Sequence, residues 1–240
     1  MEPFQFGLDG QLFGAFHPGG RSERGVLIAG PLLGEQARAA NILRGLAGSA
    51  ARDGLDVLRF DYAGLGNSGG NEADRTVERW LHDIEEAANE LMSLSGCRVV
   101  TVVAARFSAN LACSILHRPE VERLLLWDPV LCGSEWLADL AEWGQALADR
   151  LWQALANDEG EYSGLRVGPQ FSSDLLGRSA PTDLPVASAA IISRDYGHEA
   201  FLRGLVAEVE ELPLDCHWRS NTSSVIASGL LVERLCAGLT

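Results

Sequence analysis

The sequence predicts an α/β fold, a mostly parallel sheet with helices on both faces, and three observations carry that prediction. Residues 99–105 are an unbroken run of β-branched and small apolar residues of strand length. Such a run suits a strand buried on both faces, in the middle of a parallel sheet. It passes without a spacer into residues 107–117, whose apolar positions 107, 111, 115 and 116 suit a helix. Strand and helix patterns then alternate over most of the chain, which is the rhythm of a parallel sheet layered with helices.

Taken in order, residues 3–17 read as a hairpin turning at Asp9-Gly10, because Asp-Gly between alternating apolar residues favours a tight turn. Residues 18–23 read as a loop and 25–29 as a buried strand ending at Gly30-Pro31-Leu32-Leu33-Gly34. A helix is expected from Glu35 to Arg52, stopped by Asp53-Gly54. Residues 55–60 form the next strand and run into a glycine-rich stretch, 61–70. The helix expected over 76–94 has apolar residues at 77, 80, 81, 84, 87, 88, 91 and 92, one continuous stripe. The strand 121–129 follows the central strand and its helix.

Beyond Gly133 the rhythm breaks. Residues 135–156 read as one long helix carrying Trp136, Trp143 and Trp152, and 157–185 are rich in Gly, Ser, Asp and Pro with a helical hint near Asp174. The alternation resumes with a strand at 185–192, a helix at 199–208, a strand at 211–217 and a terminal helix at 224–238. This organisation predicts one core domain made of 1–132 and 185–240, with 133–184 inserted as a helical cap over the sheet. The tryptophans of the cap are expected to pack onto the sheet domain, with lining of a ligand pocket as the alternative.

A length of 240 residues suits one domain with a large core plus such an insertion. The net charge of −14 argues against nucleic acid and anionic membrane surfaces as partners, since both repel it. Cysteines 97, 113, 132, 216 and 236 are odd in number and lack metal-ligand spacing, so free thiols in a reducing compartment are expected, with no metal and no cofactor. No segment reads as a signal peptide and no apolar stretch is long enough to span a membrane, which makes a cytoplasmic location the expectation. Oligomeric state is not legible.

Four separated features fall in the order used by the α/β-hydrolase superfamily, which the chain resembles over nearly all of its length outside the cap. Residues 26–34 look like the strand and oxyanion loop. Residues 61–70, Asp-Tyr-Ala-Gly-Leu-Gly-Asn-Ser-Gly-Gly, closely resemble the D-x-x-G-x-G-x-S-x-G loop. Ala104-Ala105-Arg106-Phe107-Ser108 stands where that superfamily carries its G-x-S-x-G nucleophile turn. His217 lies near the last strand and before the last helix. The resemblance implies an α/β-hydrolase fold with a sheet of about eight strands. A narrower one, on 106–112 and 126–130, is to the bacterial exosortase-system-associated hydrolases, which are serine aminopeptidase-like. It implies a setting near exopolysaccharide or protein-sorting genes.

Carried onto this chain, the resemblance puts Arg106 at the nucleophile position, where a permanently protonated guanidinium has no lone pair to offer. Ser108 is the alternative nucleophile, or else a small packing residue in a tight turn. His217 is the candidate base, or a hydrogen-bonded structural histidine. Asp195 holds the usual place of the acid and Asp128 the alternative place, and either could instead neutralise a buried Arg106. Asp61 is expected to hold the glycine-rich loop. The backbone N–H groups of Leu32 and Phe107 would form the oxyanion hole, and Arg106 beside it would favour an acyl or anionic ligand. Two functions stay open: a hydrolase-like enzyme on an ester, thioester or amide, with Arg106 in place of the nucleophile, or a non-catalytic pseudo-hydrolase that binds an acidic small molecule or a partner protein.

Overall fold

Successive residues of the central strands are buried on opposite faces of the sheet, and that alternation decides which helix covers which face. In the computed structural model, which describes residues 1–71, 74–150, 161–162, 165–167, 170–179, 181–194, 196–197, 199–214, 216, 218 and 229–239, eight strands form one sheet. They are β1 (Glu2–Phe6), β2 (Leu12–His17), β3 (Arg21–Ala29), β4 (Leu55–Asp61), β5 (Val99–Ala105), β6 (Val121–Trp127), β9 (Ala187–Ser193) and β10 (Glu208–Leu212). Their spatial order is β1-β2-β4-β3-β5-β6-β9-β10. β2 runs antiparallel to β1 and β4, and the other pairings are parallel. The expected fold class, a mostly parallel sheet of eight strands flanked by helices, is the one observed.

One face of the sheet presents Leu27, Leu58, Val102, Leu124 and Leu126 to α2 (Val77–Ser95), α3 (Ser108–Ala112) and the start of α4 (Gly133–Arg150). The other presents Val26, Ile28, Val57, Val103 and Leu125 to α1 (Glu35–Arg52) and α7 (Gly229–Ala237). Thr76 starts α2 by accepting a hydrogen bond from the Arg79 N–H, and Gly96 ends it in the left-handed conformation that glycine adopts without penalty. β5 has four strands on one side and three on the other, with six of its seven residues buried, as its apolar run requires.

Three boundaries differ from expectation. β3 begins at Arg21, inside the segment read as a loop. The helix after β5 stops at Ala112 and continues only as a 3-10 turn over Cys113–Ile115, where Ser114 Oγ donates to the Leu111 carbonyl. The last strand is β10 at Glu208–Leu212 rather than 211–217, because Pro213 cannot donate to a ladder and ends the strand. That shift leaves position 217 five residues past the strand instead of at its end.

In 133–184, α4 is followed by the short antiparallel pair β7 (Glu161–Tyr162) and β8 (Leu165–Arg166) and by α5 (Phe171–Leu176). Trp136 is fully buried in the main core, stacked flat on Phe107 with ring centroids 4.5 Å apart and edge-on to Trp80 and Phe171. Trp152 and the side chain of Trp143 lie outside the described residues. The five cysteines are free, and among the described residues no helix is long and apolar enough to cross a membrane.

Candidate functional site

The sharp turn out of β5 has a backbone cost. Arg106 sits at φ +54°, in the left-handed region that costs a non-glycine residue about 1–2 kcal/mol. Its N–H donates to the Trp127 carbonyl at 3.1 Å, and its own carbonyl accepts from the N–H groups of Ala109 and Val130 at 3.1 Å each. The small, fully buried Ala104, Ala105 and Ala109 leave room for this path. Leu33 (φ +51°) follows β3 and Asp128 (φ +41°) follows β6, so left-handed residues mark the carboxyl ends of three neighbouring strands. Strain of this kind collects where side chains must be aimed.

The Arg106 side chain is 4% exposed and its donors are taken up inside the protein. Nε donates to Glu35 Oε1 at 2.7 Å, Nη2 to Asp139 Oδ2 at 2.7 Å, and Nη1 to the Asp128 carbonyl at 3.2 Å. Glu35 comes from the first turn of α1, and its other oxygen accepts from the Trp136 indole at 3.2 Å. Asp139 stands three residues after Trp136 on α4, so both lie on the helix face turned to the elbow. The Trp218 ring caps the guanidinium, with Cζ 5.2 Å from the ring centroid. The same indole donates to Asp128 Oδ2 at 2.7 Å, while Asp128 Oδ1 accepts from the Ser193 N–H at 2.6 Å.

One guanidinium therefore sits among three carboxyls. Burial pushes Glu35 above the usual carboxyl range, although Arg106 pulls it back. Burial does the same to Asp128 against the hydrogen bonds from Trp218 and Ser193. Burial also opposes the charge on Arg106, but Glu35 and Asp139 outweigh it and hold the guanidinium above its ordinary value. Arg106 keeps its charge, and Glu35 and Asp128 hold their protons more tightly than exposed acids would.

No family model and no curated protein matches the sequence. Solved structures do. Mouse alpha/beta hydrolase domain-containing protein 10 superposes with a TM-score of 0.63 at 15% identity, covering 99% of this chain and 96% of that one. An alpha-beta serine hydrolase homologue from Coxiella burnetii gives 0.60 at 16% identity, covering 100% and 97%. Est1E from Butyrivibrio proteoclasticus, solved with ferulic acid, gives 0.62 at 13% identity, covering 94% and 93%. The chain has the α/β-hydrolase fold.

Arg106 stands at the turn out of β5, the position at which the sequence resemblance expects the nucleophile. Ser108 is fully buried one step into α3, and its hydroxyl donates to the Gly30 carbonyl at 2.6 Å, tying the turn to the loop after β3. Asp128, the alternative acid expected from the sequence, follows β6, and among the described residues the side chain that donates to its carboxylate at 2.7 Å is the Trp218 indole. An indole N–H gives a hydrogen bond but has no lone pair to take up a proton. Leu32 and Phe107, the expected oxyanion positions, are both fully buried. His217 and Asp195 lie outside the described residues.

The expected counter-charge of Arg106 was Asp128 or Asp195. Among the described residues its ion pairs are with Glu35 and Asp139, and Asp128 contributes its carbonyl rather than its carboxylate. The carboxylate of Asp128 points away to Ser193 and Trp218. Asp61 holds the glycine-rich loop as expected, accepting from Gln36 Nε2 at 2.7 Å and from the Asn67 N–H at 2.9 Å.

Glu35, Asp139 and Trp218 were not among the residues singled out from the sequence. A signal existed for the two acids. A buried arginine demands carboxylates from whatever segments converge on it, and Glu35 opens the helix after the oxyanion loop while Asp139 shares a helical face with Trp136. Trp218 had no signal beyond standing next to His217.

Proposed function

We propose that this protein is a non-hydrolytic relative of the α/β-hydrolases, one that works by binding an acidic small molecule or a partner protein away from Arg106. The charge of Arg106 is taken up internally, not offered to a ligand as the sequence led one to expect. The observation that carries the reading is the Arg106 guanidinium, engaged by Glu35 and Asp139 at 2.7 Å each, in the place of a nucleophile. Trp218 supports it, because the group meeting Asp128 there is a donor that cannot act as a base. An enzyme acting on an ester, thioester or amide, with Arg106 as electrostatic stabiliser, would first have to release the guanidinium from two buried carboxyl groups. That costs more than a substrate contact returns. A cytoplasmic setting beside exosortase-type gene clusters belongs to the same proposal and rests on the resemblance of residues 106–112 and 126–130.

Turnover of p-nitrophenyl acetate, a thiophenyl acetate and a p-nitroanilide tests the reading. The expected rates equal those of buffer alone, with and without Ser108→Ala. Enzyme-dependent hydrolysis that disappears in Ser108→Ala refutes it.

A further inference from the structure

A second arginine is placed in the opposite way to Arg106. Arg59 projects from β4 on the α1 side of the sheet, half-buried, and among the described residues no carboxylate lies within ion-pair distance of it. Its Nε faces His17 Nε2 at 3.5 Å, and its Nη2 faces only the Met1 thioether at 3.7 Å. Nη1 has no hydrogen-bond partner among the described residues. His17 brings no negative charge, and burial together with Arg59 holds it down to about 4, so it is neutral at pH 7. Asp61, two residues along, has both oxygens committed to Gln36 and Asn67. Burial disfavours the Arg59 cation, the charge of Asp61 favours it, and the positive charge of Arg44 nearby opposes it, leaving it below its ordinary value.

The side chain lines a cleft of about 60 Å³ whose other walls include Ile28, Gln36, Ala40, Leu43 and, at one side, Asp61. On this measure a single water needs about 10–15 Å³, so the cleft admits roughly four or five water-sized groups. We propose that Arg59 and this cleft form a binding site for a small carboxylate with a short alkyl tail. The planar guanidinium fork with donors to spare matches a planar carboxylate. The aliphatic walls at Ile28, Ala40 and Leu43 suit the tail. A doubly charged phosphate is disfavoured by Asp61 close by and by the single guanidinium at the cleft. The site is separate from the elbow and stands whether or not the elbow hydrolyses anything.

The test is an NMR titration of the full chain at pH 7 with propionate, propionamide and inorganic phosphate, read at the Arg59 Nε–H signal and paired with calorimetry. Propionate should give a saturable shift, propionamide none, and phosphate a weaker response than propionate. Arg59→Gln should weaken propionate binding at least about tenfold. Ala40→Trp, which fills the mouth from exposed α1 without touching the guanidinium, should abolish it. The absence of saturation by about 100 mM propionate, an equal response to propionamide, tighter binding of phosphate, or unchanged binding in both folded variants overturns the proposal.

Discussion

The glycine-rich loop at residues 61–70 and the elbow at Arg106 end β4 and β5, two strands separated only by β3, and both occupy places where the α/β-hydrolase fold has a signature. In the loop, residue types and roles agree. A Cβ on Gly66, at φ +55°, would lie 2.3 Å from Asp61 Oδ2, so glycine is required there for the carboxylate to reach the loop's N–H groups. Ser68 is fixed between the Asp61 carbonyl and the Phe13 N–H, and buried Asp83 receives the Ala63 N–H at 2.8 Å. At the elbow the left-handed turn carries Arg106, whose guanidinium is held by Glu35 and Asp139, so there the strained backbone anchors a buried charge clamp.

The comparison breaks first at Arg106. Replacing it with leucine leaves Glu35 and Asp139 buried without their counter-charge, and a loss of about 3–5 kcal/mol is expected in urea unfolding. The triple change Glu35→Gln, Asp139→Asn, Arg106→Leu should recover most of that loss, since both carboxyls that pair with the guanidinium are neutralised with it. A single Arg106→Leu change that costs nothing would mean the clamp is not formed.

The loop should respond next. Asp83→Asn turns one of the two carboxylate acceptors facing Ala63 N–H and Arg79 Nε into a donor, with an expected loss of about 2–3 kcal/mol by the same measurement. Ser108→Ala removes one hydrogen bond to the Gly30 carbonyl and should cost only about 1 kcal/mol.

The smallest effect is on pH dependence. Burial holds His17 at about 4, below its ordinary 6.5, so between those values the unfolded chain binds the proton more readily and stability rises with pH. Burial pushes Asp83 up to about 6 from 3.8, so over nearly the same interval the folded chain keeps a proton the unfolded chain has lost, and stability falls with pH. The two slopes oppose each other. His17→Gln should expose the fall and Asp83→Asn the rise, read as urea midpoints from pH 4 to 7.

What the sequence made legible follows from which physics was local. The β5 run, the α1 span and the stripe of α2 depend on residues a few positions apart, and they were read within a residue or two. The turn at Arg106 was legible because small residues must surround it. The strand at 211–217 was misread because its apolar residues outweighed Pro213, which breaks the ladder. Partners of Arg106 come from positions 35 and 139, far apart in sequence, and no local pattern announces which acids will converge on a buried guanidinium. The placement of the Trp218 indole against Asp128 is likewise a product of tertiary packing.

Reaction with a fluorophosphonate, read by intact-protein mass spectrometry and peptide mapping, tests the central claim most directly. With an arginine held by two carboxyl groups at the nucleophile turn and an indole on Asp128, the protein should stay unmodified after hours with excess reagent. Stoichiometric addition at Ser108, lost in Ser108→Ala, would show an activated serine at the elbow and contradict the account.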